Sequence, residues 1–363
     1  MNNRSRLSSA ALICMLLSAR IFAVLTFFPR STESGFASII GILLSTAVQG
    51  LLIFPVVRLV KKTHTDPLSA SHNISSPLEK AVTAAFLLFF LYDAFLDIGS
   101  MAYFTDYFFS VNMPRALTVA CCLLTALYAA RLDSPVIGRL AQLSIILTCL
   151  MLLTVAAGSA ERIDVTRFDL AIPHVGKAIF RAALADTGRC ECLVLFAFYA
   201  AHTNGDAAVT ARRFLIAKGT IICTIFALVT AVLGSLSLNT PLPVFTLAAT
   251  SENLITERCD ALFLLAWIFT GLVKLANLLH CAAICIRRLF PKSTHFASVM
   301  SAGVLPAAAA LPLLLIYKWE SIICSERSIV PIIVLTFILP LILLRADTRS
   351  ADAPSDPSVQ NSV

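Results

Sequence analysis

Ten long apolar runs, separated by short polar or proline-containing segments, constrain this chain more than any other feature. A helix of about 20 apolar residues spans the hydrocarbon core of a bilayer. The sequence therefore predicts an all-α, polytopic membrane protein with ten transmembrane helices. The runs cover residues 10–28, 36–60, 79–104, 114–130, 135–158, 174–201, 214–238, 261–286, 297–317 and 329–345.

Composition excludes most soluble functions. Hydrophobic residues make up 58% of the chain, charged residues 13%, and the mean hydropathy is +0.86, values that ordinary soluble domains do not reach. The sequence contains no HExxH, GxSxG or phosphate-binding glycine loop, so nothing supports an enzyme or a cofactor. Its 11 cysteines fall mostly inside apolar runs, where cysteine usually behaves as a small hydrophobe; a metal or redox site is the less favoured alternative.

Orientation follows from the distribution of Lys and Arg. If the N-terminus is inside, the inner segments carry 16 of these residues and the short outer loops carry 5. Cytoplasmic loops are enriched in Lys and Arg, so both termini are predicted to be cytoplasmic. The net charge of +7 mainly reflects this bias, and no nucleic-acid partner is expected.

The first apolar run resembles a secretory signal because Arg4 and Arg6 precede it. Arg20 interrupts it, however, and no A-x-A-like cleavage site follows, which favours a retained first helix. We expect one transmembrane domain over 1–345 and a flexible cytoplasmic tail over 346–363. The inner loop 63–77 also has a flexible, solvated composition.

Ten spans divide into two sets of five, and an odd number per set gives the sets opposite orientations in the membrane. The sequence is thus compatible with an inverted repeat of about 7–158 and about 172–345, an arrangement in which ligands bind near the midplane between discontinuous helices. The sixth span fits, because an amphipathic stretch ends at Thr187 and Gly188 before a short apolar run. The alternative is an outer amphipathic helix followed by a short span.

Pseudo-symmetry places the matching break in span one, which contains neither glycine nor proline. Its only polar interruption is Ser18-Ala19-Arg20. We therefore include these three residues in the candidate ligand site.

Ionisable groups inside spans usually face a bundle interior or a wet cavity and pair with one another. Lys274 lies near the middle of the eighth span, on a small-polar stripe formed by Trp267, Thr270, Gly271, Asn277 and Cys281 at spacings of three and four. The stripe therefore faces other helices. The remaining candidate ligand-binding residues, which lie in spans three, six and eight, are Tyr92, Asp93, Asp97, Thr187, Gly188, Glu191, Thr270, Lys274 and Asn277.

Two roles remain open for Lys274. Paired with Asp97 or Glu191, it forms either a fixed strut that orients helices or part of a ligand-binding or proton-handling site. Buried ion pairs are weak evidence for stability and often mark ligand or proton pathways.

Three segments carry a resemblance to a known family. They are FFSVNMP between spans three and four, TGRCECLVLFAFY around Glu191, and the long stretch PLPVFTLAATSENLITERCDALFLLAWIFTGLVKLANLLH around Lys274. Over about residues 7–345 the chain resembles the B subunits of spore germinant receptors, the GerAB-like permeases of the amino acid, polyamine and organocation superfamily.

The resemblance implies a LeuT-type five-plus-five inverted repeat with helices one and six discontinuous. It also implies nutrient sensing, typically of amino acids, in the inner membrane of a spore, alongside an A subunit and a lipoprotein C subunit. Two departures from the family pattern are the absence of glycines in span one and the absence of a proline after the Glu191 run. The leading hypothesis is a germinant-sensing subunit; a proton-coupled amino acid transporter and a purely structural scaffold are the alternatives.

Overall fold

The computed structural model is 88% helical and describes residues 7–26, 35–108, 115–168, 174–251, 259–315 and 329–351. Two short strands, β1 (Leu7–Ser8) and β2 (Thr203–Asn204), pair in parallel. Short 3₁₀ turns lie at Ala160–Arg162, Val165–Arg167 and Ala200–His202. The α-helices of these ranges are α1 (Ser9–Thr26), α2 (Gly35–Thr63), α3 (Pro67–Ile74), α4 (Ser76–Phe108), α5 (Arg115–Ala130), α6 (Ser134–Gly158), α7 (Val175–Gly188), α8 (Cys192–Tyr199), α9 (Ala207–Leu233), α10 (Leu236–Asn239), α11 (Pro243–Thr250), α12 (Asp260–Leu289), α13 (His295–Leu315), α14 (Val330–Ile333) and α15 (Leu339–Ala351).

Apolar helices occupy all ten predicted spans. Among the described residues, α1, α2, α4, α6, α9 and α12 are long and apolar enough to cross a membrane. Four shorter apolar helices, at Ala116–Ala130, Cys192–His202, His295–Ala310 and Val330–Ala346, coincide with the remaining four spans. The all-α, polytopic membrane architecture is confirmed.

The sixth span is broken where the sequence predicted. Helix α7 ends at Gly188 and α8 begins at Cys192. The Cys190 N–H donates to the Thr187 carbonyl at 3.1 Å, which closes a tight turn, and the Thr187 hydroxyl donates to the Ala183 carbonyl at 2.8 Å. Hydroxyls that bond back into their own helix tend to bend it, and Gly188 then provides a residue with low helix propensity.

The expected break in the first span is wrong, because α1 is one continuous helix from Ser9 to Thr26. Without glycine or proline, the backbone of Ser18-Ala19-Arg20 keeps its helical hydrogen bonds. The Ser18 hydroxyl is bonded to the Cys14 carbonyl at 2.8 Å and to the Ser144 hydroxyl at 2.6 Å. The polar interruption is accommodated by side-chain contacts.

The inner loop 63–77 is also more ordered than its composition predicts. Asp66 accepts a hydrogen bond from the Ser69 N–H and caps α3, which has Pro67 in its first turn, a combination that favours helix initiation. Helix α3 packs with α2 and α15 through Leu59, Ala70 and Leu343.

At the other end of the domain, α15 continues to Ala351, six residues into the predicted tail. The rest of that tail (352–363) lies outside the described residues, as do most of the FFSVNMP junction and residues 252–258.

Two packing groups divide the helices that surround the break. Helix α2 packs along α7 and α9, whereas α12 packs along α4, α5, α6 and α13. Helix α1 contacts α6, α9 and α12 and so touches both groups. In the predicted repeats, the second span of each half falls in the first group and the third span of each half in the second; the repeat itself stays a prediction.

Candidate functional site

A buried ionic cluster, which we call the Lys274 centre, consists of Lys274, Asp93, Asp97 and Glu191. The Lys274 ammonium lies 2.7 Å from the Asp97 carboxylate, 2.5 Å from that of Glu191 and 3.7 Å from that of Asp93. The four side chains are at most 4% exposed. The centre therefore joins α4 and α12 to the broken sixth span through Glu191.

The Lys274 centre contains more negative than positive groups. Taken by themselves, one ammonium and three carboxylates carry a net formal charge of −2 when all are ionised. Each ionised carboxylate can accept about four hydrogen bonds, whereas an ammonium has three donors. The four side chains, taken by themselves, thus have more accepting than donating capacity.

An aromatic layer covers one side of the Lys274 centre. The Trp267 indole stacks on Phe104 with ring centroids 3.9 Å apart and donates its N–H to the Thr26 hydroxyl at 2.9 Å. The Phe22 ring lies 5.6 Å from the Trp267 ring and 5.8 Å from the Lys274 nitrogen. Trp267 precedes Lys274 by two helical turns, on the side that the charge distribution predicts to be outer.

On the opposite side, the Lys274 centre is followed by a polar contact and then a cavity. Tyr199 donates to the Asn277 side-chain oxygen at 2.8 Å, and Asn277 lies one helical turn from Lys274. Tyr199 also lines a cavity of about 380 Å³ near the predicted inner end of the bundle. Other residues that line this cavity are His202, His280, Arg287, Arg288 and His295.

A second buried cluster, the Asp186 group, consists of Asp186, Arg20, Lys218, Ser45 and Gln49. Arg20 and Lys218 each approach one Asp186 oxygen at 2.5 Å. Gln49 donates to the same carboxylate at 3.0 Å, and the Ser45 hydroxyl also bonds to it. This group joins α1, α2, α7 and α9.

The break in the sixth span links the two clusters. Asp186 lies two residues before Gly188, and Glu191 lies three residues after it. One carboxylate of each cluster therefore lies on either side of the same break, Asp186 in the last turn of α7 and Glu191 directly before α8. Movement at this segment would alter both sets of ion pairs.

The structure brings most of the predicted site residues into the buried interior. Ser18, Ala19, Thr187, Thr270 and Asn277 are at most 2% exposed, and Gly188 is also buried. The Thr270 hydroxyl is bonded to the Ala266 carbonyl of its own helix at 2.7 Å.

Two predicted site residues do not join the Lys274 centre. Arg20 pairs with Asp186, because α7 places a carboxylate within its reach. Tyr92 is 53% exposed on the surface of α4, whereas the face of α4 that carries Asp93 and Asp97 turns inward. Ligand binding at the predicted residues stays a prediction.

Sequence analysis missed Asp186 and Lys218. Neither residue belongs to the candidate ligand site that the sequence predicts. Both are buried, Lys218 completely. Lys218 lies inside the predicted apolar run 214–238, and this position is a signal of an intramembrane charge. Its partner Asp186 is 32 residues away, and nothing in the local sequence marks the pairing.

The sequence model of one protein family, the spore germination proteins or spore permeases, matches residues 6–314 of this chain. The chain belongs to this family. No curated protein is similar enough in sequence to be counted as a relative.

Solved structures give the fold. A Na⁺-coupled sialic acid symporter in a substrate-bound, outward-open state matches with a TM-score of 0.64 and 12% identity, over 92% of this chain and 80% of the other. MhsT in complex with L-phenylalanine matches with a TM-score of 0.52 and 15% identity, over 95% and 99%. A nucleobase–cation symporter closed around bromovinylhydantoin matches with a TM-score of 0.57 and 12% identity, over 89% and 77%.

Together these matches establish the general class of the protein. It has the LeuT-type transporter fold, and it is a multi-pass, non-enzymatic membrane protein of the germination permease family. Its role is germination-related, as a permease or transporter.

Proposed function

We propose that this protein is the B-type subunit of a nutrient germinant receptor and that it senses a small nutrient, an amino acid, to promote spore germination. The Lys274 centre is the observation that carries this proposal. It gathers three carboxylates around one lysine at the break of the sixth span, in a fold whose ligands bind near the midplane.

In this proposal the ammonium group of the nutrient competes with Lys274 for the carboxylates. Glu191 is the carboxylate of the Lys274 centre that belongs to the broken span. When the incoming ammonium takes over part of its hydrogen bonding, the link between α8 and α12 weakens. A ligand shifts a conformational equilibrium only through different affinities for the two states, and this exchange of partners supplies such a difference.

The proposed location is the inner membrane of a spore-forming bacterium, with both termini in the cytoplasm. The excess of Lys and Arg on the predicted inner segments supports this orientation. The proposed partners are an A-type subunit and a lipoprotein C-type subunit. An adjoining gene for an A-type subunit, and copurification of its product with this chain, would support the assignment.

Disruption of the gene in the parent spore-former tests the proposal. Spores of the disrupted strain should lose or slow germination in response to at least one amino acid, and the intact gene should restore it. The same disruption is made in a strain that also lacks any paralogous B-type genes, so that no paralogue can compensate. An unchanged response to every nutrient in that background would contradict the proposal.

The second candidate is a proton-coupled amino acid transporter on the same scaffold. Two of the similar structures are described as symporters, and the Lys274 centre contains carboxylates that can exchange a proton. Sensor and carrier both need a midplane site. Uptake driven by a pH gradient in reconstituted vesicles would favour this alternative.

A further inference from the structure

The Asp186 group contains donors that its own carboxylate does not use. Arg20 is 3% exposed. Its Nη2 atom bonds to Asp186, while its Nε and Nη1 atoms have no hydrogen-bond partner within the described ranges. Buried guanidinium donors are costly to leave unsatisfied. Taken by themselves, two cations and one carboxylate also carry a net formal charge of +1.

Other candidate anion-binding groups near the break are already occupied. The backbone N–H groups of Ser18, Ala19 and Arg20 lie inside the continuous helix α1, so they bond within that helix. At the start of α8, the N–H groups of Leu193 and Val194 donate to the carbonyls of Cys190 and Glu191, at 3.0 Å each. Among the described residues, the buried side-chain nitrogens without a hydrogen-bond partner are those of Arg20 and of the Asn277 amide. Only those of Arg20 belong to a charged group.

Arg20 is connected to the Lys274 centre through the broken segment of the sixth span. Arg20 bonds to Asp186, and Glu191 of the Lys274 centre follows Asp186 by five residues across the break. A negative centre and a positive group thus flank the same short segment.

We propose that Arg20 binds the carboxylate of an α-amino acid whose ammonium group is held by the carboxylates of the Lys274 centre. This inference rests on the proposed function and assigns each end of the ligand to one cluster. A guanidinium binds a carboxylate through two parallel hydrogen bonds, and the free Nε and Nη1 donors match that requirement. Lys218 and Gln49 hold Asp186 and so position the guanidinium.

The test is a binding measurement on the full chain in lipid nanodiscs. The probes are the protein L-α-amino acids, their primary amides, and the carboxylic acids that lack the amine; sodium chloride is a separate probe. The amide keeps the ammonium and removes only the negative charge. If the Arg20 guanidinium pairs with the carboxylate of the ligand, the best amino acid should bind at least about tenfold more tightly than its amide.

Three variants separate ligand recognition from folding. Arg20→Gln should lower the affinity for that amino acid by at least about tenfold and leave the affinity for its amide within about twofold. Arg20→Lys keeps the positive charge but not the planar guanidinium, so it should lower the affinity for the amino acid by less than Arg20→Gln does. It replaces Arg20→Gln in the test if the glutamine variant does not fold. Arg213→Gln, at an exposed position of α9, is the matched control.

Several results would overturn the assignment. If wild-type protein binds an amino acid and its amide equally, or if both Arg20 variants weaken the two probes equally, Arg20 has only a structural role. If chloride or the amine-free acid alone binds through Arg20 as tightly as the amino acid, the site takes an anion and no zwitterion. If no amino acid or amide binds to the wild type, the proposed function itself fails, and this inference fails with it.

Discussion

Lys274 illustrates at the scale of one residue how a charge is tolerated inside a membrane. A lysine at the centre of a spanning helix costs about 2.5 to 3.5 kcal/mol on insertion scales. Here its ammonium contacts the carboxylates of Asp97 and Glu191 at 2.7 and 2.5 Å. The contacts come from two other elements, so the compensation is available only in the folded bundle.

Substitution of Lys274 should separate sensing from assembly. Lys274→Met keeps most of the length and the apolar stem but removes the charge, so we expect the protein to insert and assemble while the nutrient response is lost. Spore germination assays and membrane immunoblots would measure the two properties. Lys292→Met, at an exposed position, should change neither.

Lys274→Ala should damage assembly, because breaking a buried pair costs roughly 3 to 5 kcal/mol. A second substitution, Asp97→Asn or Glu191→Gln, removes one of the carboxylates left without a cation and should partly restore the amount of assembled protein. Size-exclusion chromatography in detergent would measure this recovery. Double variants no better assembled than Lys274→Ala alone would argue against these pairings.

The Asp186 group predicts an asymmetry between its members. Asp186→Asn leaves two buried cations without a carboxylate, whereas Lys218→Met leaves a neutral Arg20–Asp186 pair. The loss of stability should therefore be larger for Asp186→Asn, roughly 3 to 5 kcal/mol, as measured by thermal unfolding in detergent. Equal losses would indicate that Arg20 and Lys218 do not depend on a shared carboxylate.

At the scale of elements, Gly41 determines how closely α2 approaches α7. A Cβ atom at Gly41 would lie 2.5 Å from the Ala182 Cβ and 2.9 Å from the Ile179 carbonyl oxygen. Gly41→Ala should therefore force the helices apart, with a loss of about 1 to 3 kcal/mol. Melting temperatures in detergent would measure this loss.

Gly219 of α9 is the matched control, because a Cβ there meets Thr46 atoms at no less than 3.6 Å. Gly219→Ala should be neutral or stabilising by up to about 1 kcal/mol, since alanine has the higher helix propensity. If Gly41→Ala melts no lower than Gly219→Ala, the close packing of α2 on α7 is not required.

Asp66 provides a second test at this scale. Asp66→Ala removes the cap of α3 and the contact with Arg288 at 3.6 Å, and loss of a cap costs about 1 kcal/mol. Asparagine is also a good cap, so Asp66→Asn should retain α3 while losing the charge. Faster amide hydrogen exchange over 67–74 in the alanine variant alone would agree with this account; equal exchange in both variants would not.

The elements also show what the sequence could predict. Hydrophobic run lengths located all ten apolar helices, and Gly188 marked the break in the sixth span, because both are local properties. Span one was assigned a break by symmetry, although its residues favour a continuous helix. Asp186 and Lys218 escaped detection because their pairing joins positions distant in the chain and depends on how α7 packs beside α9.

At the scale of the whole molecule, the two buried clusters divide between the two packing groups. The Asp186 group lies within α1, α2, α7 and α9, while the Lys274 centre connects α4 and α12 to the broken span. Glu191 is thus the ionic contact that crosses from one group to the other. A ligand that changes this contact would act on the relative position of the two groups, which is the output a sensing subunit needs.

Binding and flux in reconstituted vesicles test the central claim most directly. Vesicles containing the wild-type chain should bind a radiolabelled amino acid in a saturable manner. Glu191→Gln removes a carboxylate that accepts the ammonium group of the ligand and should abolish this binding, whereas Lys274→Met removes only the competing ammonium and should retain it, as should Lys292→Met. With an imposed pH gradient, the label in wild-type vesicles should not exceed the amount bound. Accumulation above that amount, driven by the gradient, would contradict a sensor and identify a carrier; saturable binding that survives Glu191→Gln would contradict the assigned site.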